Sequence, residues 1–325
     1  MRFKRTAATL AVAATSLALG ACGAGGGGAG SDGGGDGGGA LRVAANTNAT
    51  MLPFWAAEDQ GFFADHGIDD EKLTLVDNVA TLPPALGKSF DIVLSTPTLV
   101  ISSNEQGIPV SWISGSSVDS VDTPSGALMT MADSGITEVT QLEGKKIGVL
   151  NESGTLHIAT AYWLQEEGVD LDSLDIVQVD GPSQADQLAS GRIDAVESVT
   201  PFTGQIAAAG AESLGVPYRA LGDTIAPIMF AAQTQWAEDN QDVVEGFRAA
   251  LEDGAEWIAD NDADARALLQ DKTGYSDEVV ASITLPQFDT TVRTEDLQSW
   301  YDAMNATTGF ETDKDLASFA FDPQS

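Results

Sequence analysis

The chain has 325 residues, with 15 Lys and Arg against 49 Asp and Glu and a formal net charge of -34. At 43% hydrophobic and 20% charged residues, the sequence can bury a sizeable core, which excludes a largely disordered chain. Binding to nucleic acid depends on Lys and Arg that displace counterions from phosphates, so this charge argues against a nucleic-acid partner. The length suits one large domain or two linked lobes.

The first 21 residues predict an export signal. Three basic residues lie within the first five positions, and an apolar run from 7 to 19, too short for a comfortable bilayer span, is followed by small residues and Cys22. Residues 19–22, Leu-Gly-Ala-Cys, resemble a bacterial lipobox. We therefore expect 1–21 to be a lipoprotein signal peptide and Cys22 to hold the lipid anchor at the outer face of the bacterial cytoplasmic membrane. The alternative is a plain secretory signal with an incidental cysteine.

Residues 22–40 predict a tether between this anchor and the folded part. Glycine fills most of the segment, which leaves too few side chains to pack a core. Treated as a Gly-rich coil, the segment has a reach on the order of 20 to 25 Å. The residues that carry the function therefore begin at position 41.

Strand and helix patterns alternate along the next part of the chain. They form two series, with predicted strands at 41–45, 73–76, 91–94 and 110–113, and then at 127–131, 146–150, 174–179 and 193–196. Helical patterns lie between these strands, which favours two mostly parallel sheets covered on both faces.

The last third of the chain is predicted to be helical. In 242–260 the apolar residues Val244, Phe247, Leu251 and Ile258 follow helical spacing, so one face of this helix must pack on another element. Further helices are predicted near 264–269, 277–283 and 295–304. The simplest arrangement returns this tail to the sheet of the first series.

Several short segments, in this order and spacing, resemble the type II substrate-binding proteins of ABC importers. The resemblance is to the nitrate/sulfonate/taurine and thiamine-precursor (NMT1/THI5-like) group, and it covers most of 41–283. The segments are DQGFF at 59–63, FDI at 90–92, QGIPV at 106–110, DSGI at 133–136, LEGKKIGV at 142–149, SGTLH at 153–157, and GRIDA at 191–195 with Pro201.

This resemblance implies the fold class α/β, in the two-lobed type II periplasmic-binding-protein fold. Two parallel-rich sheets flanked by helices would be joined by two crossing segments, near 121–127 and 226–233. Lobe 1 would comprise 41–122 plus 234–325, and lobe 2 would comprise 123–233. The resemblance also implies a monomer without a cofactor that holds a small ligand between its lobes and delivers it to an ABC permease and its ATPase.

Ligands of such sheets bind beyond the carboxyl ends of parallel strands, where loops and helix starts present backbone N–H groups. Four loops meet this condition, at 46–50, 95–98, 151–155 and 197–201. Each is rich in hydroxyl or amide groups that can form hydrogen bonds to a ligand. The alternative is that these groups only cap the following helices. His157 and Phe54 lie beside these loops and are further candidates for ligand contact. The alternative is that their side chains have a structural role in the core. The candidate ligand-binding residues are Asn46, Thr47, Asn48, Thr50, Phe54, Ser95, Thr96, Thr98, Ser153, Gly154, Thr155, His157, Glu197 and Thr200.

The charge of the ligand stays open at this point. None of the four loops contains Lys or Arg, so a sulfonate or carboxylate would have to bind at helix N-termini. A neutral or cationic heteroaromatic ligand would fit better with Glu197 in the cleft. The sequence Ser198 to Pro201 departs from the Asp beside an aromatic residue of taurine-binding members, which argues against taurine.

Two other functions remain as alternatives. One is an enzyme of the same fold, of the menaquinone- or pyrimidine-pathway type. The chain has two histidines, one cysteine, and no P-loop or dinucleotide fingerprint, which argues against a metal centre or a nucleotide cofactor. The other is a surface ligand-binding module that works without an importer.

Overall fold

A computed structural model describes residues 39–321, and they form two β-sheets with helices on their faces. The predicted signal peptide, Cys22 and the tether up to residue 38 lie outside the described residues. The strands are β1 (Leu41–Ala45), β2 (Glu71–Leu75), β3 (Ile92–Ser95), β4 (Val110–Ser120), β5 (Gly126–Met131), β6 (Lys146–Val149), β7 (Asp175–Gln178), β8 (Ala195–Val199), β9 (Ala211–Gly215), β10 (Thr224–Gln233) and β11 (Gln287–Phe288).

The α-helices follow the predicted periodic segments closely. Among the described residues they are α1 (Leu52–Gln60), α2 (Phe62–Asp65), α3 (Pro97–Glu105), α4 (Thr155–Glu166), α5 (Gly181–Ala189), α6 (Phe202–Ala208), α7 (Thr234–Asp239), α8 (Gln241–Asp260), α9 (Asp262–Thr273), α10 (Asp277–Ser282) and α11 (Thr294–Thr308). Proline opens α3 and lies in the first turn of α1, where its missing N–H has no intrahelical partner to lose. Gly61 ends α1 at a positive φ of 83°, which favours glycine.

The two sheets repeat one arrangement of strands. The first has the order β11-β4-β10-β3-β1-β2, and the second has the order β7-β6-β8-β5-β9. In the first, β1 is parallel to β2 and β3, whereas β10 is antiparallel to β3 and β4. In the second, β6 is parallel to β7 and β8, whereas β5 is antiparallel to β8 and β9. The predicted α/β class, with two sheets flanked by helices, is confirmed. The described sheets are mixed and not mostly parallel, because five strand pairs are antiparallel and four are parallel.

The second connection between the sheets lies earlier than predicted. Residues 226–233, expected to cross between the lobes, belong to β10 and pair with β3 on one side and β4 on the other. This apolar stretch is therefore an inner strand of the first sheet, and the chain crosses back at 216–223. The first connection, 121–125, agrees with its prediction. Apart from residues 224–233, the predicted division of the chain into lobes stays a prediction.

The helical tail covers the first sheet, as the sequence pattern suggested. Val244, Phe247 and Leu251 of α8 are buried in one cluster with residues of α1, β1 and β3. The Phe63 ring lies 5.0 Å from Phe54 and 5.9 Å from Phe247, centroid to centroid. α11 packs on both α3 and α4, and so contacts helices of both sheets. Within residues 39–321 no helix has the length and apolarity needed to cross a membrane.

Candidate functional site between the two sheets

The two connections join the carboxyl-terminal edges of the parallel strands of both sheets. Ser120, the last residue of β4, pairs with Thr224, the first of β10. Gly126 pairs with Val199, so the first connection enters the second sheet beside the carboxyl end of β8. The four loops singled out from the sequence follow β1, β3, β6 and β8, and all therefore lie at these joined edges.

The loop after β1 satisfies most of its own polar groups. Asn48 Oδ1 accepts hydrogen bonds from the Thr50 backbone N–H at 2.8 Å and from Thr50 Oγ1 at 2.6 Å, while Asn48 Nδ2 donates to Asn46 Oδ1 at 2.9 Å. Ser116 of β4 donates to the Thr50 carbonyl at 3.1 Å. Thr47 is exposed at the tip of the loop. Asn48 is thus a helix cap in this structure, and the loop is held against β4.

The loop after β3 leaves one buried hydroxyl without a partner. Thr96 caps α3 by accepting from the Leu99 backbone N–H at 3.3 Å, and its Oγ1 lies 3.0 Å from Thr98 Oγ1. Ser95, the last residue of β3, is 1% exposed, and its Oγ has no hydrogen-bond partner within residues 39–321. An unpaired buried hydroxyl costs free energy, so its presence beside a helix N-terminus marks a place where a ligand can supply the missing bond.

The loop after β6 leads into a helix whose start has no side-chain cap. Asn151 Oδ1 accepts from the backbone N–H and the hydroxyl of Ser153, each at 3.0 Å. Gly154 is the N-cap residue of α4 and offers no side chain to the first N–H groups. Thr155 is buried and hydrogen-bonded to the hydroxyl of Tyr218 in the second connection; burial raises the pKa of Tyr218, and the bond to Thr155 opposes that rise.

His157 and Glu197 form a buried pair between α4 and the second sheet. His157 Nδ1 lies 3.2 Å from Glu197 Oε2, and their side chains are 17% and 1% exposed. Burial opposes protonation of His157, but the hydrogen bond and the charge of Glu197, with the charge of Glu152, outweigh it and raise the pKa of His157. Glu197 therefore already has a hydrogen-bond partner with a raised pKa within the chain. This removes the argument from the sequence that a free Glu197 favours a cationic ligand.

The raised pKa of His157 gives folding stability a defined pH dependence. Stabilisation by the protonated ring is fully present below the ordinary histidine pKa of about 6.5 and is lost as pH rises through the higher pKa of the folded state. We expect His157→Gln to lower the free energy of unfolding by about 1 kcal/mol near pH 6, with the difference from the unmodified protein shrinking towards pH 9. Urea unfolding across this range measures it. His66→Gln is the matched control, because His66 faces Asp253 at 2.7 Å with both side chains about one third exposed or more.

A cleft of about 770 Å³ opens beside the first connection. Thr200 and Pro201, after β8, line one wall, and the Thr200 N–H donates to the Ser125 carbonyl at 3.0 Å. The facing wall is α10 and its flanks, with Ser276, Glu278, Ser282 and Thr284 among its lining residues. Sequence analysis missed this wall, because the position of α10 depends on the path of the tail across the molecule.

The aromatic candidate, Phe54, lies in the core. Phe54 is 0% exposed, packed against Phe63 in the cluster around α1 and α8, and Trp55 and Trp112 are buried as well. The structure therefore supports the alternative, in which these rings pack the core. In residues 39–321 no three His, Cys, Asp or Glu side chains are grouped in a way that could hold a metal ion.

Comparison with known proteins places the chain in a family. The family model described as NMT1/THI5 like matches residues 48–265, which include most of both sheets. No curated protein gives a match. Among solved structures, the periplasmic aliphatic sulphonate binding protein SsuA from Escherichia coli is similar with a TM-score of 0.75 at 15% identity, over 87% of this chain and 92% of that one.

Two further solved structures have the same fold. The alkanesulfonate-binding protein SsuA from Xanthomonas axonopodis pv. citri, bound to MOPS, gives a TM-score of 0.70 at 15% identity over 86% of this chain and 97% of that one. The periplasmic nitrate-binding protein NrtA from Synechocystis PCC 6803 gives 0.66 at 11% identity over 86% and 84%. At these identities the similarity establishes the fold, the two-lobed type II periplasmic-binding arrangement.

Proposed function

Because the chain belongs to the NMT1/THI5-like family, we propose that it is the extracytoplasmic solute-binding component of an ABC importer. The observation that carries the proposal is the joining of two sheets of one strand order at their carboxyl-terminal edges by two short connections. Such edges bind small ligands, and two connections let the sheets move relative to each other as bodies. Ligand bound to both sides would favour the closed form, which the permease then recognises.

We propose that the chain binds rather than transforms its ligand. Apart from the Ser95 hydroxyl, the hydroxyls and amides described above at the joined edges cap helices or bond to neighbouring groups, and the two histidines face Asp253 and Glu197. A micromolar ligand would provide about 8 kcal/mol, more than the few kcal/mol that separate two conformations of one protein. Turnover of any ligand found by binding would instead support the enzyme alternative.

The ligand class that we favour is a small organic anion, such as a sulfonate or carboxylate. Glu197 is paired with His157, and the uncapped start of α4 and the start of α3 present N–H groups at the joined edges. A titration panel of alkanesulfonates, nitrate, aromatic carboxylates, thiamine precursors and flavins, read by thermal shift and calorimetry, tests this choice. At 100 times its dissociation constant a ligand stabilises the protein by about 2.7 kcal/mol.

Ser95 offers the sharpest test of the binding site. Because its buried Oγ has no partner within residues 39–321, we expect Ser95→Ala to leave the free energy of unfolding within about 0.5 kcal/mol of the unmodified protein. The same change should weaken ligand binding about tenfold, the loss of one hydrogen bond to a charged group. Calorimetry and urea unfolding measure the two quantities.

Ser103→Ala is the matched control for this change. Ser103 is also a buried serine, but it lies near the other end of α3. Ligand affinity should be unchanged in this variant. Equal affinity in Ser95→Ala and the unmodified protein would place the ligand away from the start of α3.

We propose further that Cys22 anchors the protein to the outer face of the membrane and that the protein acts as a monomer. The sequence of residues 19–22 supports the anchor. Cys22→Ser should release the protein from membranes into the soluble fraction. Retention of the variant in the membrane would show that another segment attaches it.

A further inference from the structure

A second cavity, of about 160 Å³, lies between α4 and the second sheet, with Thr307 of α11 also in its lining. Its walls are mostly aliphatic, with Ile147 of β6, Leu164 of α4, Leu174, and Ile176 of β7. His157 and Glu197 also line it. None of its lining residues is among those that line the cleft beside the first connection, so the two spaces are distinct.

The polar pair lies at one end of this cavity. Ile147 pairs with Ala195 on the neighbouring strand, so Ile147 lies behind Glu197 by two residues, about 6 to 7 Å measured along the strand direction. Along α4, His157 and Leu164 are seven residues apart, a rise of about 10 Å. The cavity is therefore polar at the end near the joined edges and apolar at the other end.

The other polar groups of the lining are already satisfied. Thr160 Oγ1 donates to the Leu156 carbonyl at 2.8 Å, and Thr307 Oγ1 of α11 donates to the Ala303 carbonyl at 2.7 Å. His157 and Glu197 are thus the groups that remain to meet an occupant. His157 and Glu197 already pair with each other, so a charged occupant would bring an unpaired charge into an apolar space.

We propose that this cavity is a second small-molecule site, for a neutral and mostly apolar molecule with one hydroxyl or ring N–H group. The apolar body would lie against the aliphatic walls, and the polar group would bond to the His157–Glu197 pair. An apolar protein cavity of about 150 Å³ holds benzene, so the size class is that of a single aromatic ring. His157 and Glu197 are also candidates for the transport ligand, so the two sites adjoin at this pair and differ in ligand class, a neutral molecule here and an anion there.

Phenol and benzene are suitable probes for the purified protein, because they differ by one hydroxyl group. We expect both to bind saturably in ligand-observed NMR, with phenol about tenfold tighter because of its added hydrogen bond. Ala161, a half-buried residue of α4, lines the cavity, so Ala161→Leu should fill it and abolish binding. Gln165→Leu, at an exposed position of the same helix, is the matched control and should bind phenol normally.

Further variants keep the test decisive. If Ala161→Leu does not fold, Ile176→Phe fills the cavity from the opposite wall and should abolish binding in its place. Glu197→Gln should reduce the preference for phenol over benzene. Absence of saturable phenol binding to the unmodified protein would overturn the proposal, as would phenol binding that persists in a folded cavity-filling variant. Phenol binding lost in Ser95→Ala would also overturn it and would place the probe at the joined edges.

Discussion

Replacing Asp119 with asparagine is expected to lower the free energy of unfolding by about 3 to 5 kcal/mol, the cost of breaking a buried ion pair from one side. Asp119 is the penultimate residue of β4, and its side chain is 0% exposed. Its carboxylate pairs with Arg219 in the second connection. It also accepts from the backbone N–H of Ser125 at 2.6 Å and from the Ser125 hydroxyl at 2.9 Å.

The same carboxylate thus bonds to both connections between the sheets. Arg219 donates to the Gly222 carbonyl at 3.0 Å and to the Asp223 carbonyl, and burial lowers the pKa of its guanidinium. The Val121 N–H donates to the Asp223 carbonyl at 3.2 Å, which ties the connections directly. Asp119→Asn removes the negative charge that faces the partly buried Arg219 and leaves one acceptor oxygen, in place of two, for Arg219 and Ser125 to share. We therefore expect looser coupling of the sheets in addition to lower stability.

Urea unfolding and small-angle scattering measure the two effects. Asp122→Asn is the matched control, because Asp122 is an exposed aspartate in the first connection, three residues after Asp119. Its replacement should change the free energy of unfolding by no more than about 0.5 kcal/mol. Adding Arg219→Gln to Asp119→Asn should restore part of the loss, since the unpaired buried cation is then gone. A loss below about 1 kcal/mol for Asp119→Asn would show that the pair does not brace the connections.

Replacing Gly254 with alanine should destabilise the protein by about 3 kcal/mol, the upper end of the range for overpacking. Helix propensity alone predicts the opposite, because alanine in a helix interior is favoured over glycine by about 1 kcal/mol. The added Cβ, however, would lie 2.3 Å from the Pro53 carbonyl oxygen of α1. The Cβ is attached directly to the backbone of α8, and the oxygen belongs to the backbone of α1. Neither atom can rotate away, so the two packed helices would have to separate.

Gly204→Ala is the control that isolates this effect. Gly204 is an exposed residue of α6, and a Cβ there would meet no atom within 4 Å. Its replacement should stabilise the protein by about 0.5 to 1 kcal/mol. Chemical denaturation of the two variants should therefore give changes of opposite sign. Stabilisation by both would show that α8 can shift away from α1 at little cost.

Much of the fold could be predicted from local patterns in the sequence. Strand β1 was predicted with its bounds, and the helix predicted at 242–260 agrees with α8 to within one residue at each end. The helical spacing of Val244 and Phe247 identified the buried face of α8. The strand-loop-helix order also placed four polar loops at carboxyl ends of strands, and the structure brings these ends to the joined edges.

The sequence by itself thus determined the acidic composition, the alternation of strands and helices as far as β8, and the family, since each depends on composition or on residues close together in the chain. Tertiary structure decided which residues from distant segments of the chain contact each other. Glu197 meets His157 across 40 positions, Asp119 meets Arg219 across the whole second sheet, and Gly254 meets Pro53 from the opposite end of the chain. Such contacts have no local signal, because the free energy that selects them comes from burial and pairing between distant segments. The same cause made β10, read from the sequence as a crossing, an inner strand of the first sheet.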